Sequence, residues 1–268
     1  MNVKTALVTG ASDGIGLEFC RVLAGSGYQV VLVARREDKL EQLASELQEQ
    51  FGTGGIVIPA DLSIPGAAHK LFQTVDSRGL QIDFLVNNAG LLCNGFFTEL
   101  ELGDQERMMM LNMVTLTNLT HLFANDMVRR GSGHILNVAS TAAWMPIPNQ
   151  NVYAASKAYV LSFSQALADE LRVAHPGVSV CALCPGYTET KMLDNPNQGD
   201  KLRVPASLTQ SATYVAEKGI AACLAGKSTY IPGLGNRIIA GLSQIVPKTW
   251  MAAAMGKTYR RLMGNTHV

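Results

Sequence analysis

The sequence predicts an α/β fold in which a doubly wound parallel sheet is covered by helices on both faces. Seven short apolar runs, rich in β-branched residues, alternate with longer stretches that carry apolar residues at helical spacing. The runs contain few polar positions, which is typical of strands buried on both faces of a parallel sheet. Because crossovers between parallel strands are right-handed, this alternation favours a doubly wound sheet.

The predicted strands and helices follow one another along the chain. In order, the strands are Ala6–Thr9, Val30–Ala34, Ile56–Pro59, Phe84–Asn87, His134–Ala139, Val178–Leu183 and Thr229–Ile231. Helical spacing occurs in Ile15–Leu23 and Asp38–Gln50, and Asn151–Ala168 is rich in Ala and lacks Gly and Pro. No internal repeat or low-complexity linker interrupts this order, so we expect a single domain over residues 1–268.

Two stretches depart from the alternation. Residues 194–211 combine Pro, Gly and polar residues, and we expect a substrate lid over residues 191–211. The tail, residues 234–268, is predicted to be helical and to pack on the body or on a neighbouring subunit. A peripheral membrane contact is the alternative, because basic residues flank Trp250 and its apolar neighbours. These basic residues are Lys248, Lys257, Arg260 and Arg261.

Composition and charge indicate an ordered protein that does not bind nucleic acid. Of 268 residues, 47% are hydrophobic and 16% are charged, and the formal net charge is +1. Such a chain can bury a large core and has no excess of basic residues for nucleic acid. No stretch of about 18 apolar residues is free of charges or breakers, so no membrane span is expected. Residues 1–10 lack the features of a signal peptide.

The five cysteines are scattered, which argues against a disulfide framework and for a cytoplasmic setting. They are Cys20, Cys93, Cys181, Cys184 and Cys223. Cys181 and Cys184 lie on or beside one predicted strand, where residues three apart point to opposite faces, so a redox or metal role is not expected. The histidines form no cluster either, and no metal site is expected.

A glycine-rich turn follows the first predicted strand and opens a helix. Residues 9–16 read TGASDGIG. Glycines let the chain turn tightly and let backbone N–H groups approach a pyrophosphate, while the helix N-terminus adds favourable partial charge. This context of strand, turn and helix predicts a dinucleotide site. Its expected residues are Gly10, Ser12, Asp13, Gly14, Ile15 and Gly16.

The end of the second predicted strand favours NADP(H) over NAD(H). An acidic residue near this point binds the ribose hydroxyls in NAD sites, whereas Arg accommodates a 2′-phosphate. Here Ala34 occupies the acidic position, and Arg35 and Arg36 follow. Arg binds phosphate through bidentate, charge-assisted hydrogen bonds. Asp61 and Leu62, after the third strand, are expected beside the adenine, and a turn or helix-capping role is the alternative for Asp61.

Tyr153, Lys157 and Ser140 form a candidate catalytic set. Tyr153 and Lys157 are four residues apart on a predicted helix, which places them on one face. A phenol has a pKa of about 10, and a nearby ammonium lowers that pKa, so we expect Lys157 to activate Tyr153. Ser140 lies at the end of the fifth strand, where ligands bind in open parallel sheets. Asn112 lies on another predicted helix among core residues.

Together these residues resemble the short-chain dehydrogenase/reductase family, common short type. The match comprises residues 9–16, Asn87-Asn88-Ala89-Gly90, Asn112, Ser140, Tyr153-x-x-x-Lys157 and Pro185-Gly186-x-Thr188-x-Thr190, in order and spacing. The resemblance covers nearly the whole chain up to about Gly233 and implies a Rossmann core with a seven-stranded parallel sheet. It further implies assembly as a homodimer or homotetramer.

The resemblance also implies a role for each matching residue. Tyr153 would be the general acid or base, Lys157 would bind the nicotinamide ribose, and Ser140 would polarise the carbonyl. Asn112 would hold a water that relays protons toward Lys157. The expected cofactor contacts are Asn88, Ala89, Gly90, Tyr153, Lys157, Pro185, Gly186, Thr188 and Thr190. One feature is less typical, because Asp13 stands where some NADP-preferring members carry a basic residue.

The expected substrate pocket is mostly apolar, which favours a hydrophobic ketone or aldehyde. Its candidate residues are Leu91, Leu92, Cys93, Phe96, Ser140, Ala142, Trp144, Met145, Ile147, Asn151, Tyr153, Tyr187 and Met192. Two alternatives stay open: a dehydrogenase that oxidises a hydroxysteroid, hydroxyacyl or sugar-alcohol substrate, and a non-catalytic nucleotide-binding protein. The intact catalytic set argues against the second alternative.

Overall fold

Seven parallel strands form one sheet at the centre of the computed structural model, which describes residues 3–190 and 209–262, with side chains to residue 258. The strands are β1 (Thr5–Thr9), β2 (Gln29–Ala34), β3 (Gly55–Pro59), β4 (Phe84–Asn87), β5 (Gly133–Val138), β6 (Val178–Leu183) and β7 (Thr229–Tyr230). Their order across the sheet is β3-β2-β1-β4-β5-β6-β7. The predicted doubly wound parallel sheet is confirmed, and each predicted strand is found within one residue at each end.

Helices cover both faces of this sheet. They are α1 (Gly14–Gly25), α2 (Glu37–Phe51), α3 (Ala67–Ser77), α4 (Leu102–Met109), α5 (Leu116–Arg130), α6 (Asn151–Ala174), α7 (Ala212–Leu224), α8 (Leu234–Ile245) and α9 (Lys248–Leu262). A π-helical turn, Met110–Thr115, joins α4 to α5, and a 3₁₀ turn, Thr141–Trp144, follows β5. Within the described ranges, no helix is long and apolar enough to cross a bilayer.

The strands are buried on both faces because their side chains alternate between two cores. Ala6 and Val8 of β1 pack with residues of α1, α2 and α7, whereas Leu7 packs with residues of α3, α5 and α6. The same alternation separates Cys181 from Cys184, which lie in different core clusters as predicted, and both thiols are free and buried. Each strand must therefore be apolar at nearly every position, as the sequence is.

The strand order reverses between β1 and β4, and this reversal positions the site. β1 pairs with β2 on one side and β4 on the other, with Thr9 opposite Val33 and Val8 opposite Val86. The loops that leave the carboxyl ends of β1 and β4 therefore diverge to opposite faces and leave a crevice between them. Of the predicted lid, residues 191–208 lie outside the described residues.

Candidate active site

A cleft of about 580 Å³ opens at the carboxyl ends of β1, β2 and β4. It contains most of the residues predicted to bind a dinucleotide. Those residues are Gly10, Ser12, Asp13, Gly14, Ile15, Arg35, Arg36, Asp61, Leu62, Asn88, Ala89, Gly90 and Thr190. Val33, Ala34, Ala60, Ser63, Leu91 and Leu111 also line it and were not predicted as contacts. The apolar members of this second set give the cleft walls on which a planar ring could pack.

The glycine turn is shaped by one close approach that only glycine allows. A Cβ on Gly16 would lie 2.1 Å from Gly10 O and 2.5 Å from Asn88 Nδ2. Gly16 therefore faces the turn and the β4 loop, so its role is to let α1 approach them rather than to line the cleft. Asp13 caps α1, because its Oδ1 accepts the N–H of Gly14 at 2.8 Å.

The β4 loop is tied to the glycine turn by hydrogen bonds to Thr9. The Thr9 hydroxyl oxygen accepts the backbone N–H groups of Asn88 and Ala89, each at 3.0 Å. The Asn88 side chain donates to Thr9 O, also at 3.0 Å. These contacts hold the two loops that border the crevice in one fixed arrangement.

The two arginines after β2 differ in their surroundings. Arg36 Nη2 donates to Ser12 Oγ at 3.1 Å and lies 3.4 Å from Asp13 Oδ2. Arg35 is exposed on the cleft wall, and within residues 3–190 and 209–262 its guanidinium makes no hydrogen bond or ion pair. The less typical Asp13 is thus paired with a cation, and Arg35 keeps its donors available to a ligand in the cleft.

Asp61 forms a turn after β3, at the wall of the cleft. Its Oδ1 accepts the backbone N–H and the hydroxyl of Ser63, at 2.9 and 2.6 Å. Burial acts to raise the pKa of Asp61, but these bonds and the charges of Arg35 and Arg107 outweigh it and hold the pKa below its usual value. The carboxylate is therefore ionised at neutral pH, and its predicted contact with an adenine amino group stays a prediction.

Tyr153, Ser140 and Lys157 converge beyond the carboxyl end of β5. The Ser140 hydroxyl oxygen accepts the N–H of Ala142 at 3.1 Å, and the hydroxyl hydrogen-bonds the Tyr153 phenol. Lys157 Nζ lies 5.7 Å from the centroid of the Tyr153 ring and donates to Val138 O at 2.8 Å. The i, i+4 spacing on α6 and the end of β5 thus bring the three side chains together.

The pKa of Tyr153 differs from the sequence expectation. Burial raises it to about 12, and the Ser140 hydrogen bond offsets only part of that effect. Lys157 is itself buried, which lowers its own pKa to about 8. Burial is the largest influence on the phenol, and the Lys157 ammonium, which is held by Val138 O, does not offset it. The phenol therefore keeps its proton at neutral pH, the form that a general acid needs.

Asn112 lies in the π-helical turn and is fully buried. Asn112 Oδ1 accepts the backbone N–H of Leu91, and Asn112 Nδ2 donates to the carbonyl oxygen of Leu91, each at 2.9 Å. Asn112 Nδ2 also donates to Ser156 Oγ at 3.1 Å. A Cβ on Gly90 would lie 3.4 Å from Asn112 Oδ1 and 3.6 Å from Lys157 Nζ. Asn112 therefore faces the space beside Lys157, and π-helical turns are frequent at functional sites.

The segment after β6 closes the far side of the site. Thr141 N–H donates to Pro185 O at 2.8 Å, and the Thr188 hydroxyl donates to Gly186 O at 3.1 Å. A Cβ on Gly186 would meet the Asn236 side chain at 2.6 Å. This packing places Pro185, Gly186 and Thr188 between the catalytic set and the C-terminal helices, a support that the sequence motif did not indicate.

The substrate side of the site is apolar and is partly built by the tail. Tyr153, Met145 and Tyr187 pack on a cluster of Ala142, Ile147 and Ala154, together with Met255 of α9. A second cleft, about 430 Å³, is lined by Trp144, Met145, Asn151 and Ala154 with Lys248 and Ala252. Met192 lies outside the described residues.

Two tail residues of this wall, Lys248 and Met255, were missed by the sequence prediction. No local pattern distinguishes them from other helix residues, since only the folded chain brings α9 over α6. Lys248 Nζ donates to Trp144 O at 2.8 Å. Trp144, predicted to face the substrate, lines this second cleft and also packs on the core cluster that contains Cys184. Among the described residues, no group of three His, Cys, Asp or Glu side chains could hold a metal ion.

Comparison with known proteins identifies related sequences over most of the chain. Residues 4–201 match the family described as short chain dehydrogenase. Nodulation protein G of Rhizobium sp. (strain N33) is 34% identical over 245 residues, which cover 90% of this chain and 98% of that protein. The human very-long-chain 3-oxoacyl-CoA reductase is 34% identical over 193 residues, which cover 70% of this chain and 60% of that protein.

Solved structures agree with these matches. The structure of a 7beta-hydroxysteroid dehydrogenase superposes with a TM-score of 0.84 at 26% identity, covering 95% of this chain and 99% of that one. A short-chain dehydrogenase from Sphingobium yanoikuyae in complex with NADPH gives a TM-score of 0.77 at 28% identity, with 91% and 97% covered. The sequence match, the strand order and the converging site residues together show that this chain belongs to the short-chain dehydrogenase family.

Proposed function

We propose that this protein is an NADP(H)-dependent reductase of small apolar ketones or aldehydes. As a short-chain dehydrogenase, the chain is an oxidoreductase of carbonyl and alcohol groups. The observation that carries the proposal is the position of the Tyr153 phenol, which lies beside the Ser140 hydroxyl, in an apolar wall, with Lys157 Nζ 5.7 Å from its ring centroid. That arrangement presents two hydroxyl donors to a single carbonyl oxygen.

The side chains would divide the work of proton transfer and charge stabilisation. NADPH, when bound, supplies the hydride that reaches the carbonyl carbon. Negative charge then develops on the carbonyl oxygen, where Tyr153 Oη donates its proton and Ser140 Oγ donates a hydrogen bond. When a carbonyl oxygen is bound, the Ser140 hydroxyl would turn its proton from the Tyr153 phenol to that oxygen, while its own oxygen keeps accepting the N–H of Ala142.

Lys157 and Asn112 would support this transfer from behind the phenol. The Lys157 ammonium is anchored to Val138 O, which directs its remaining N–H donors toward the space beside Gly90. Asn112 Oδ1 faces the same space. A water bound between them would connect Tyr153 to solvent and restore the phenol proton after each turnover.

The cleft supports NADP(H) by the chemistry of its donors. No carboxylate stands at the end of β2, where Ala34 is followed by the exposed Arg35. Arg36 neutralises Asp13 at the entrance to the glycine turn, so that carboxylate does not face an incoming phosphate alone. A 2′-phosphate on the adenosine ribose could bind the guanidinium of Arg35 at this wall, since that group has no partner among the residues that the structure describes.

A second candidate is a dehydrogenase that oxidises a hydroxysteroid or hydroxyacyl substrate. The hydroxysteroid version is favoured by the name of one protein similar to this chain, the 7beta-hydroxysteroid dehydrogenase. The very-long-chain 3-oxoacyl-CoA reductase, by its name, supports an acyl substrate but the direction of reduction. Both substrate types are apolar and would suit the wall formed by Met145, Tyr187 and Met255.

We further propose that the protein acts in the cytoplasm and assembles as a homodimer or homotetramer. Its buried free thiols suit a reducing compartment.

The deciding experiment is NADPH oxidation by a panel of apolar ketones and aldehydes, with the wild type and Tyr153→Phe. We expect Tyr153→Phe to lower kcat/KM by about 10²- to 10⁴-fold, the usual contribution of a general acid, with NADPH affinity unchanged. Tyr159→Phe is the matched control, because Tyr159 lies on the same helix and is exposed. Equal activity of both variants would remove Tyr153 from the mechanism. Lack of NADPH and NADH binding by the wild type would refute the function.

Cofactor choice is tested by Arg35→Asp. Loss of charge-assisted hydrogen bonds of about 1.5–3 kcal/mol should reduce the preference for NADPH over NADH by about 10- to 100-fold. Arg172→Asp, at an exposed position on α6, should leave the ratio unchanged. An unchanged ratio in Arg35→Asp would mean that another group binds the 2′-phosphate.

A further inference from the structure

Helix α8 presents its apolar face to solvent. Leu234, Ile238, Leu242 and Ile245 recur at helical spacing on one side of the helix, and their exposed fractions are 72%, 53%, 56% and 81%. The opposite side, which packs on the body, carries the small buried residues Ala240 and Ser243. A surface helix of a globular protein normally shows the reverse arrangement, with its apolar stripe toward the core.

Helix α9, which follows α8 in the chain, also exposes a large apolar side chain. Trp250 is 73% exposed, and Lys257, seven residues later, lies on the same side of the helix and is also exposed. The inward side carries Met255 and Gly256, with Met255 packed in the Tyr153 cluster. The side chains of Leu234, Ile238, Leu242, Ile245 and Trp250 are referred to below as the tail patch. Contiguous exposed apolar side chains of this kind mark interaction surfaces.

The C-terminal part of the sequence, which contains the tail patch, carries charge of one sign. All 21 acidic residues of the chain lie within residues 1–217, and residues 218–268 contain seven Lys and Arg and no Asp or Glu. The chain as a whole has a formal net charge of only +1, so this concentration is a local property of the C-terminal fifth. A partner that complements the tail patch and these cations would therefore be both apolar and negatively charged.

A bilayer with anionic lipids fits both requirements. Its interface places hydrocarbon beside negatively charged headgroups, and amphipathic helices with apolar side chains and flanking cations lie in this zone. A second copy of the chain fits less well, because a two-fold interface through the tail patch would bring the same cations together without acidic partners. Nucleic acid supplies negative charge but no apolar phase for Ile245 and Trp250.

We propose that α8 and α9 dock this protein peripherally on anionic lipid bilayers through the tail patch. The docked surface would adjoin the substrate side of the active site, since Lys248 of α9 hydrogen-bonds Trp144 O and Met255 packs in the cluster with Tyr153. A lipophilic carbonyl compound dissolved in the bilayer would then enter from the membrane side. This last consequence rests on the proposed reductase function, whereas docking itself does not.

The test is co-sedimentation of the full-length protein with vesicles, without cofactor or substrate. Vesicles of phosphatidylcholine alone are compared with vesicles that also contain phosphatidylglycerol, at low and high salt. We expect preferential binding to the anionic vesicles and weaker binding at high salt, because the cationic contribution is screened. The double variant Ile238→Asp/Ile245→Asp should lower the partition coefficient at least ~10-fold, since two side chains lose their insertion into the apolar zone.

Matched variants separate docking from general surface effects. Val173→Asp replaces an apolar side chain that is 71% exposed on α6, away from the tail, and should bind vesicles like the wild type. Lys257→Glu should weaken binding to anionic vesicles several-fold, and Lys70→Glu, on α3, should not. NADPH turnover with a water-soluble ketone checks that each variant is folded and reports on the proposed function separately.

Three results would overturn the proposal. The first is no binding, or equal binding, to neutral and anionic vesicles. The second is the same partition coefficient for the tail-patch variant and Val173→Asp. The third is a change of oligomeric mass in Ile238→Asp/Ile245→Asp, measured by light scattering, which would show that a second copy of the chain covers the tail patch.

Discussion

Replacing Asn112 with alanine should strongly destabilise the fold around the active site, in addition to any effect on catalysis. The Asn112 side chain is fully buried and makes three hydrogen bonds, two with the backbone of Leu91 and one with Ser156 Oγ. It therefore joins the π-helical turn to the β4 loop and to α6. Alanine removes all three bonds and leaves the N–H and C=O of Leu91 without their partners.

The expected cost follows from these contacts. Three hydrogen bonds at about 1 kcal/mol each amount to roughly 3 kcal/mol, and unsatisfied Leu91 groups would raise the loss to about 5 kcal/mol. Asn112→Asp should not restore the stability, because a carboxylate accepts from Leu91 N–H but cannot donate to Leu91 O or Ser156. Burial of its ionised form would also add a desolvation cost, which the nearby Lys157 ammonium would offset only in part.

The assay is equilibrium urea unfolding, followed by circular dichroism, without cofactor. Asn125→Ala is the matched control, because Asn125 is exposed on α5 and its only side-chain hydrogen bond among the described residues, to His121, lies at the surface. That variant should lose less than about 0.5 kcal/mol. A free energy of unfolding for Asn112→Ala within this margin of the control would refute the reasoning, and Asn112 would then act through catalysis alone.

Two further predictions concern the glycine turn and the titration of Lys157. Gly16→Ala places a Cβ 2.1 Å from Gly10 O, so this substitution should displace α1. We expect NADPH affinity, measured by fluorescence titration, to fall at least ~10-fold. Gly103→Ala is the control, because a Cβ there meets nothing within 4 Å, and its NADPH affinity should be unchanged. Equal affinities would contradict the close-approach argument. The kcat/KM for reduction should fall as the pH rises through about 8, because Lys157 is protonated below that pKa, while Tyr153, with a pKa of about 12, remains the acid. A profile that stays flat well above that pH would mean that the Lys157 charge does not matter.

Much of the fold could be predicted from local sequence alone, because the governing patterns span few residues. Buried parallel strands need apolar side chains on both faces, so their positions could be identified to within a residue at each end. The i, i+4 spacing placed Tyr153 and Lys157 on one helix face, and the three-residue spacing separated Cys181 from Cys184. The glycine turn was evident because strand, glycines and helix are contiguous.

The geometry of the candidate site depended on contacts between distant parts of the chain. Asn112 is 21 residues from Leu91 and 44 from Ser156, and Lys248 is 104 residues from Trp144. No local period encodes such pairs, so the bridging role of Asn112 and the contribution of α9 to the substrate wall were not predicted. The pKa of Tyr153 was misjudged for the same reason: burial raises it, and burial is a property of the packed structure.

Helix α8 shows most directly where local sequence information ends. The sequence by itself determined that this segment has an apolar face, because Leu234, Ile238, Leu242 and Ile245 recur at helical spacing. Periodicity states which residues share a face, but not whether that face turns toward the core. Only the tertiary structure decided that Ala240 and Ser243 pack inward while the larger side chains face solvent, because the elements packed against a helix, and not its own spacing, determine which face is covered.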